Sequence, residues 1–185
     1  IVEAIRAQAS ELACAHPAAV YEAKVKLGEA LARITPGDID KFFLCLSGSE
    51  AAETALKMAR LLTGRSKVIA RRRSYHGASM GAVSLTGDQR RWHVEPGLWG
   101  VARVEDPYCY RCPMGLQKSN CGLACAQHLE HVIEMEGADR IAAVFMEGVT
   151  GTNGGFIPPP EYWPRVREIC DRHGILLVSD EVFSG

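Results

Sequence analysis

Short apolar stretches recur along this chain, and amphipathic helical patterns fill the spaces between them. Residues 42–46, 67–70, 141–146 and 175–179 read as strands, with a further strand at 100–105. Residues 51–62, 125–136 and 161–173 carry helical spacing, 75–85 reads as a loop with a small helix, and 106–124 as a loop. A strand that is apolar on every residue is buried on both faces, and a helix between two such strands makes a parallel crossover. The expectation is an α/β fold, a mostly parallel sheet covered by helices on both faces. Two helices, 1–14 and 20–34, come first; His16-Pro17 ends one and Pro36-Gly37 the other. That divides the chain into an N-terminal helical segment, 1–36, and a sheet domain, 37–185.

Composition narrows the function classes. The chain has 185 residues, of which 47% are hydrophobic and 23% charged, and a formal net charge of -1. Such a balance fits a soluble globular protein with one sizeable core and argues against general nucleic-acid binding. Arg71-Arg72-Arg73 follows an apolar stretch and reads as a strand end. No apolar run reaches the length of a membrane span, and the N-terminus has no signal-peptide pattern. Seven cysteines in that setting point to a reducing cytoplasm. Ile1 starts inside a helical pattern and Gly185 stops where a loop should continue, so a fragment of a longer chain is expected.

In parallel sheets ligands bind beyond the carboxyl ends of the strands. Three such ends carry polar groups here. Ser47-Gly48-Ser49-Glu50 leads into a helix whose unpaired N–H groups and dipole suit a phosphate. Ser47 and Glu50 also fit a capping box, which needs no ligand. Glu147 ends the 141–146 strand, and Asp180-Glu181 ends the last one, with alternation sending the two acids to opposite faces. An acid leaving an apolar strand needs a partner, either an arginine or helix N-terminus, or else a metal or a protonated ring nitrogen. Ser74-Tyr75-His76-Gly77 offers an aromatic that could stack on a flat ring and a histidine that could move protons. A partly buried aromatic beside a surface histidine is the commoner case for such an isolated pair.

Taken in order, S-G-S-E-A-A-E-T-A-L-K-M-A-R-x-x-T-G-R, Y-H-G, M-E-G-V-T-G-T-N-G-G-F-I-P-P-P-E-Y and I-C-D-R-H-G-I-L-L-V-S-D-E-V resemble the markers of class III aminotransferases. Those are fold type I enzymes that depend on pyridoxal 5′-phosphate. The resemblance implies that residues 37–185 are part of the cofactor-binding large domain. It assigns the cofactor phosphate to Gly48 and Ser49, and ring stacking to Tyr75, with His76 and Gly77 completing that loop. Asp180 becomes the partner of the pyridine nitrogen, Val182 the apolar contact on the opposite ring face, and Glu147 a catalytic glutamate near the cofactor hydroxyl and substrate. Gly148 stands where the family usually has proline. An ionised Asp180 would keep the ring nitrogen protonated, since an opposite charge favours the charged form. The lysine this chemistry needs lies beyond D-E-V in the family, and Lys24, Lys26, Lys41, Lys57, Lys67 and Lys118 do not match it. The resemblance further implies amine and keto acid substrates and a homodimer when complete. An aminomutase or decarboxylase on the same scaffold stays open.

Cys109, Cys112, Cys121 and Cys125 form two close pairs in the 106–124 loop and at the helix start that follows. Their spacing could hold zinc, which would suit a non-catalytic binding module, or they are four reduced thiols in a family-specific insertion. D-P-Y-C-Y-R-C-P is similar to a segment of taurine–pyruvate aminotransferases. That favours an ω-amino donor such as taurine or β-alanine, with pyruvate as acceptor.

Overall fold

A computed structural model describes residues 1–16 and 18–185, so Pro17 of the expected His16-Pro17 break lies outside the described residues. The chain divides into two compact units, 1–44 and 45–185. The first holds α1 (Val2–Glu11) and α2 (Glu22–Ile34). No residue of either helix is buried, and Ile5 is 62% exposed. Tyr21 is extended and starts α2. At its other end Thr35 Oγ1 donates to Leu31 O at 2.9 Å, just before Pro36 stops the helix.

In the second unit come α3 (Gly48–Thr63), β1 (Lys67–Arg71), α4 (Met80–Leu85), β2 (Val101–Val104), α5 (Ala124–Glu136), β3 (Ile141–Glu147), α6 (Tyr162–Arg172) and β4 (Leu176–Asp180). α3 begins where Ser47 Oγ accepts from Glu50 N, and ends at Gly64, whose φ of 68° only glycine adopts at little cost. Ala52, Leu56 and Ala59 recur at helical spacing and form its buried stripe.

The expected strand at 42–46 is absent. Those residues join no sheet, and Phe43 and Leu46 stay 67% and 99% exposed. An apolar pattern qualifies a segment for burial, but a strand also needs a neighbour to complete its ladder. The four strands pair in the order β2-β1-β3-β4, every pair parallel. β4 is an edge and is only partly covered, not fully buried as its apolar run suggests.

Alternation along the strands sorts the core into two layers. Ile69, Val144 and Met146 pack with Leu129, Ile133, Val166 and Ile169 of α5 and α6. Val68, Ala143 and Phe145 pack with Leu56 and Ala59 of α3 and with Leu85 of α4. Lys67 pairs with Ile141 but Val68 with Ala143, so Ala142 is an extra residue that bulges the ladder. Chain order makes the gap between β1 and β3 special. The chain leaves β1 toward β2, then returns past β1 to form β3, and the crevice at such a reversal is where open α/β sheets hold ligands. Among the described residues no helix is long and apolar enough to cross a membrane.

Leu129 is fully buried between α5 and the sheet, whereas Leu61 on α3 is 79% exposed. Leu129→Ala is expected to lower the unfolding free energy by about 2–5 kcal/mol, and Leu61→Ala to change it by less than about 0.5 kcal/mol, in urea titrations. Equal effects would contradict this core.

Candidate functional site

β1 ends at Arg71, and the chain then turns through Ser74, whose Oγ donates to Arg71 O at 2.8 Å. The turn carries Tyr75, His76 and Gly77 across the carboxyl ends of β3 and β4. Those two strands pair in the register that sets Glu147 beside Asp180. Glu147 is 5% exposed and has both carboxylate oxygens in use. Tyr75 N donates to Oε1 at 2.9 Å and Gly151 N to Oε2 at 2.8 Å. Its side chain therefore ties together the two loops that follow β1 and β3.

His76 is the partner that Asp180 requires. The ring Nδ1 lies 2.7 Å from Asp180 Oδ2. An ionised carboxylate can only accept, so that nitrogen carries the proton. Val182 N donates to the other oxygen, Oδ1, at 3.1 Å. Burial alone would raise the Asp180 carboxyl, but the hydrogen bond and charge of His76, with the Val182 N–H, hold it below the ordinary carboxylate value. The remaining ring nitrogen, His76 Nε2, is buried without a hydrogen-bond partner. Among the described residues neither an arginine nor a helix N-terminus takes the role. Glu181 turns away to Ser179 and Ser184, each at 2.5 Å.

The start of α3 closes the site. Ser47 Oγ accepts from Glu50 N at 3.2 Å, and Glu50 Oε2 accepts from Leu46 N at 2.8 Å, so the capping box is formed one residue longer than the usual pattern. Glu50 N and Ala51 N are taken by Ser47, which leaves the N–H groups of Gly48 and Ser49 as the open donors of the first turn. Ser49 Oγ accepts from Ala78 N at 3.0 Å. A side chain at Gly48 would put Cβ 2.9 Å from Val182 Cγ2, and at Gly77 it would lie 2.3 Å from Ser49 Oγ. Gly48, Ala51, Phe145, Val178, Asp180 and Val182 line a cavity of about 180 Å³. Gly48, Ser49, His76, Gly77, Asp180 and Val182 thus meet in one place. Tyr75 joins them through its backbone, while its ring lies under the Arg90 guanidinium at 4.8 Å.

Arg71 is the residue that the sequence reading missed. It is fully buried, and its Nη2 donates to Glu147 O at 2.5 Å. Its Nε faces Asp106 Oδ1 at 3.9 Å, beyond hydrogen-bond range, and both atoms are unpartnered. Burial pushes the Asp106 carboxyl up to about 6, against the pull of Arg71. The available signal was an arginine closing an apolar run, which a run of three arginines disguised.

Cys109, Cys112, Cys121 and Cys125 line one narrow cleft of about 20 Å³. Among the described residues no group of three or more His, Cys, Asp or Glu is arranged to hold a metal ion. Burial pushes the Cys125 thiol up to about 11.

A family profile described as aminotransferase class III matches residues 1–185. A probable aminotransferase of Mycobacterium tuberculosis is 43% identical over 85% of this chain and 35% of its own length. A leucine/methionine racemase of Thermococcus litoralis is 38% identical over 100% of this chain and 42% of its own. A β-alanine–pyruvate aminotransferase of Pseudomonas aeruginosa is 36% identical over 86% of this chain and 37% of its own. Among solved structures, a taurine:2-oxoglutarate aminotransferase of Bifidobacterium kashiwanohense, in complex with PLP and glutamate, superposes with a TM-score of 0.88 at 34% identity. It covers 100% of this chain and 42% of that one. The chain spans about two fifths of the length of the proteins it matches.

Asp106 supplies a pH signature of this architecture. Its carboxyl ionises near pH 6 in the fold and near 3.9 in an unfolded chain, so the folded state holds the extra proton between those values. The stability it contributes is full below about pH 4 and is lost as pH rises through about 6. The unfolding free energy of the native chain, relative to Asp106→Asn, should therefore fall by on the order of 3 kcal/mol from pH 4 to 7. A difference that stays flat across that window would refute the burial of this carboxyl.

Proposed function

The chain belongs to the class III aminotransferases, and from that premise we propose that residues 37–185 form part of the cofactor-binding domain of a pyridoxal-phosphate-dependent aminotransferase. In this reading it moves an amino group from an ω-amino donor, of the taurine or β-alanine type, to a keto acid such as pyruvate. The observation that carries it is the His76–Asp180 pair, at 2.7 Å, set against the start of α3.

The residues fit the cofactor. The open N–H groups of Gly48 and Ser49 and the positive end of the α3 dipole suit a phosphate. Gly48 has no Cβ where one would press on Val182, which keeps that approach narrow and clear. Asp180 retains lone-pair sites beyond those used by His76 and Val182, and it stays ionised, as a partner for a protonated pyridine nitrogen must. Bound there, pyridoxal phosphate would supply an electron sink for the charge left when a proton leaves the amine carbon. His76 fixes the orientation of the Asp180 carboxylate. Val182 offers an apolar face to one side of the ring, and Tyr75 is the aromatic for the other. Glu147 keeps the Tyr75 and Gly151 loops in register through its two accepted N–H bonds. The lysine that such chemistry requires lies, in this reading, outside these residues.

The β-alanine–pyruvate and taurine relatives support the ω-amino donor. The racemase relative, which covers the whole chain, favours a second reading, amino-acid racemisation on the same cofactor. A homodimer of the complete polypeptide also belongs to the proposal, and the exposed Leu61 and Leu62 of α3 support an apolar interface.

The complete polypeptide, supplied with pyridoxal phosphate, should form alanine from pyruvate with β-alanine or taurine as donor. Asp180→Asn should lower kcat/KM by about 10- to 150-fold, the worth of a charge-assisted hydrogen bond of ~1.5–3 kcal/mol. Cofactor-loaded protein that leaves pyruvate untouched with every ω-amine, yet racemises leucine or methionine, would replace the first reading with the second.

A further inference from the structure

A second polar cavity sits away from the residues just described. The 3₁₀ turn Gln89–Val94, the loop that follows it and β2 enclose about 290 Å³, lined by Ser84, Arg91, Glu95, Gly97, Val101 and Arg103 among others. None of Gly48, Ser49, His76 or Asp180 borders it. At that size it lies at the lower limit of small-molecule sites, which begin at about 300 Å³.

Its hydrogen-bond accounts do not balance. A guanidinium carries five N–H donors and no acceptor. Arg103 spends one nitrogen, Nη2, on Ser84 O at 2.8 Å and Thr86 O at 3.0 Å. Arg91 spends Nη1 on Glu95 Oε1 at 2.6 Å. Among the described residues the Nε atoms of both arginines are buried without partners. Among the described residues no hydrogen bond takes Arg91 Nη2 or Arg103 Nη1, and neither atom is sealed from solvent. The other polar groups cannot make up the deficit. Ser84 Oγ already donates to Met80 O at 2.6 Å and accepts from Leu98 N at 2.8 Å. Arg72, a further cation whose charge is felt at Arg103, is paired with Glu105 at 2.8 Å.

Charge points the same way. Burial, followed by repulsion from Arg91, lowers Arg103 to about 10, which still leaves it ionised at neutral pH. Two guanidinium ions therefore face one carboxylate, and the Glu95 side chain is itself 52% exposed. Gly97 also lines the cavity, at φ 65°, where a Cβ would fall 2.7 Å from Ser84 Oγ. Paired guanidinium groups with free donors are the usual means of gripping phosphate or carboxylate oxygens.

We propose that this cavity is a binding site for a small oxyanion of the phosphate type, held between Arg91 and Arg103. The anion neutralises the second guanidinium and supplies the acceptors that the protein omits. Glu95 competes with it for Arg91.

Inorganic phosphate titrated into the complete polypeptide at low ionic strength, followed by calorimetry and by ³¹P line broadening, tests the assignment. Saturable binding is expected, with Kd raised at least tenfold in Arg91→Met and lowered in Glu95→Gln. Gly48→Val, which blocks the start of α3, should leave that Kd unchanged. Acetate as competitor separates the sources of the chemistry, since a site built for several oxygens should prefer phosphate. Absence of saturable binding overturns the proposal, as does a Kd indifferent to both Arg91→Met and Glu95→Gln. Loss of binding in Gly48→Val assigns the phosphate to α3 and overturns it too. Circular dichroism of each variant separates a lost site from a lost fold, and Glu95→Gln gives a gain that misfolding cannot imitate.

Discussion

Arg71 Nη2 donates to the carbonyl oxygen of Glu147 from a side chain with no exposure to solvent, at the point where β1 and β3 end side by side. A buried guanidinium is costly unless its donors are met, and meeting them fixes the geometry around it. The last peptide of β3 is held, so the Glu147 carboxylate points where Tyr75 N and Gly151 N can reach it. The Tyr75 loop is then anchored over the sheet, and His76 reaches Asp180 on the next strand. Each step depends on the one before. A sheet edge that would otherwise carry loose loops becomes a rigid rim, and a cofactor grip requires such rigidity.

The buried faces of the helices that cover the sheet were legible because they repeat locally. Ala52, Leu56 and Ala59 announce the buried side of α3, and the Ser47–Glu50 spacing announces its start. Residues 42–46 carry the same kind of local evidence and mislead, because a ladder partner is a property of another segment. β4 misleads more mildly. Its apolar run is a parallel-sheet pattern, yet an edge strand has a neighbour on one side only, and Leu176 remains 39% exposed.

The site itself divides along the same line. Gly48, Ser49, His76, Asp180 and Val182 could each be named from short motifs and their order. That His76 answers Asp180 could not be read, because 104 residues separate them and the register of β3 against β4 decides their meeting. Arg71 was invisible for the converse reason. Its burial is set by the strands on both sides, and nothing in a run of three arginines tells which one turns inward. Glu147 was read from the resemblance alone; that each of its oxygens also accepts a backbone N–H, from Tyr75 and Gly151, depends on loops that no local pattern places.

The two arginine clusters make a useful contrast. Arg71 has little room, with Asp106 3.9 Å from its Nε and the strand end taking its Nη2, and its charge is spent on architecture. Arg91 and Arg103 border open space, keep free donors and share one exposed carboxylate. Both clusters rest on the same segment, since Arg103 holds Thr86 O while Thr86 Oγ1 accepts from His76 N at 3.0 Å. The threonine whose hydroxyl steadies the histidine of one site is thus gripped, through its carbonyl, by the guanidinium of the other. The difference between the two lies in access: Arg71 is sealed from solvent with its Nε unpartnered, whereas Arg91 and Arg103 border a cavity that an outside acceptor can enter.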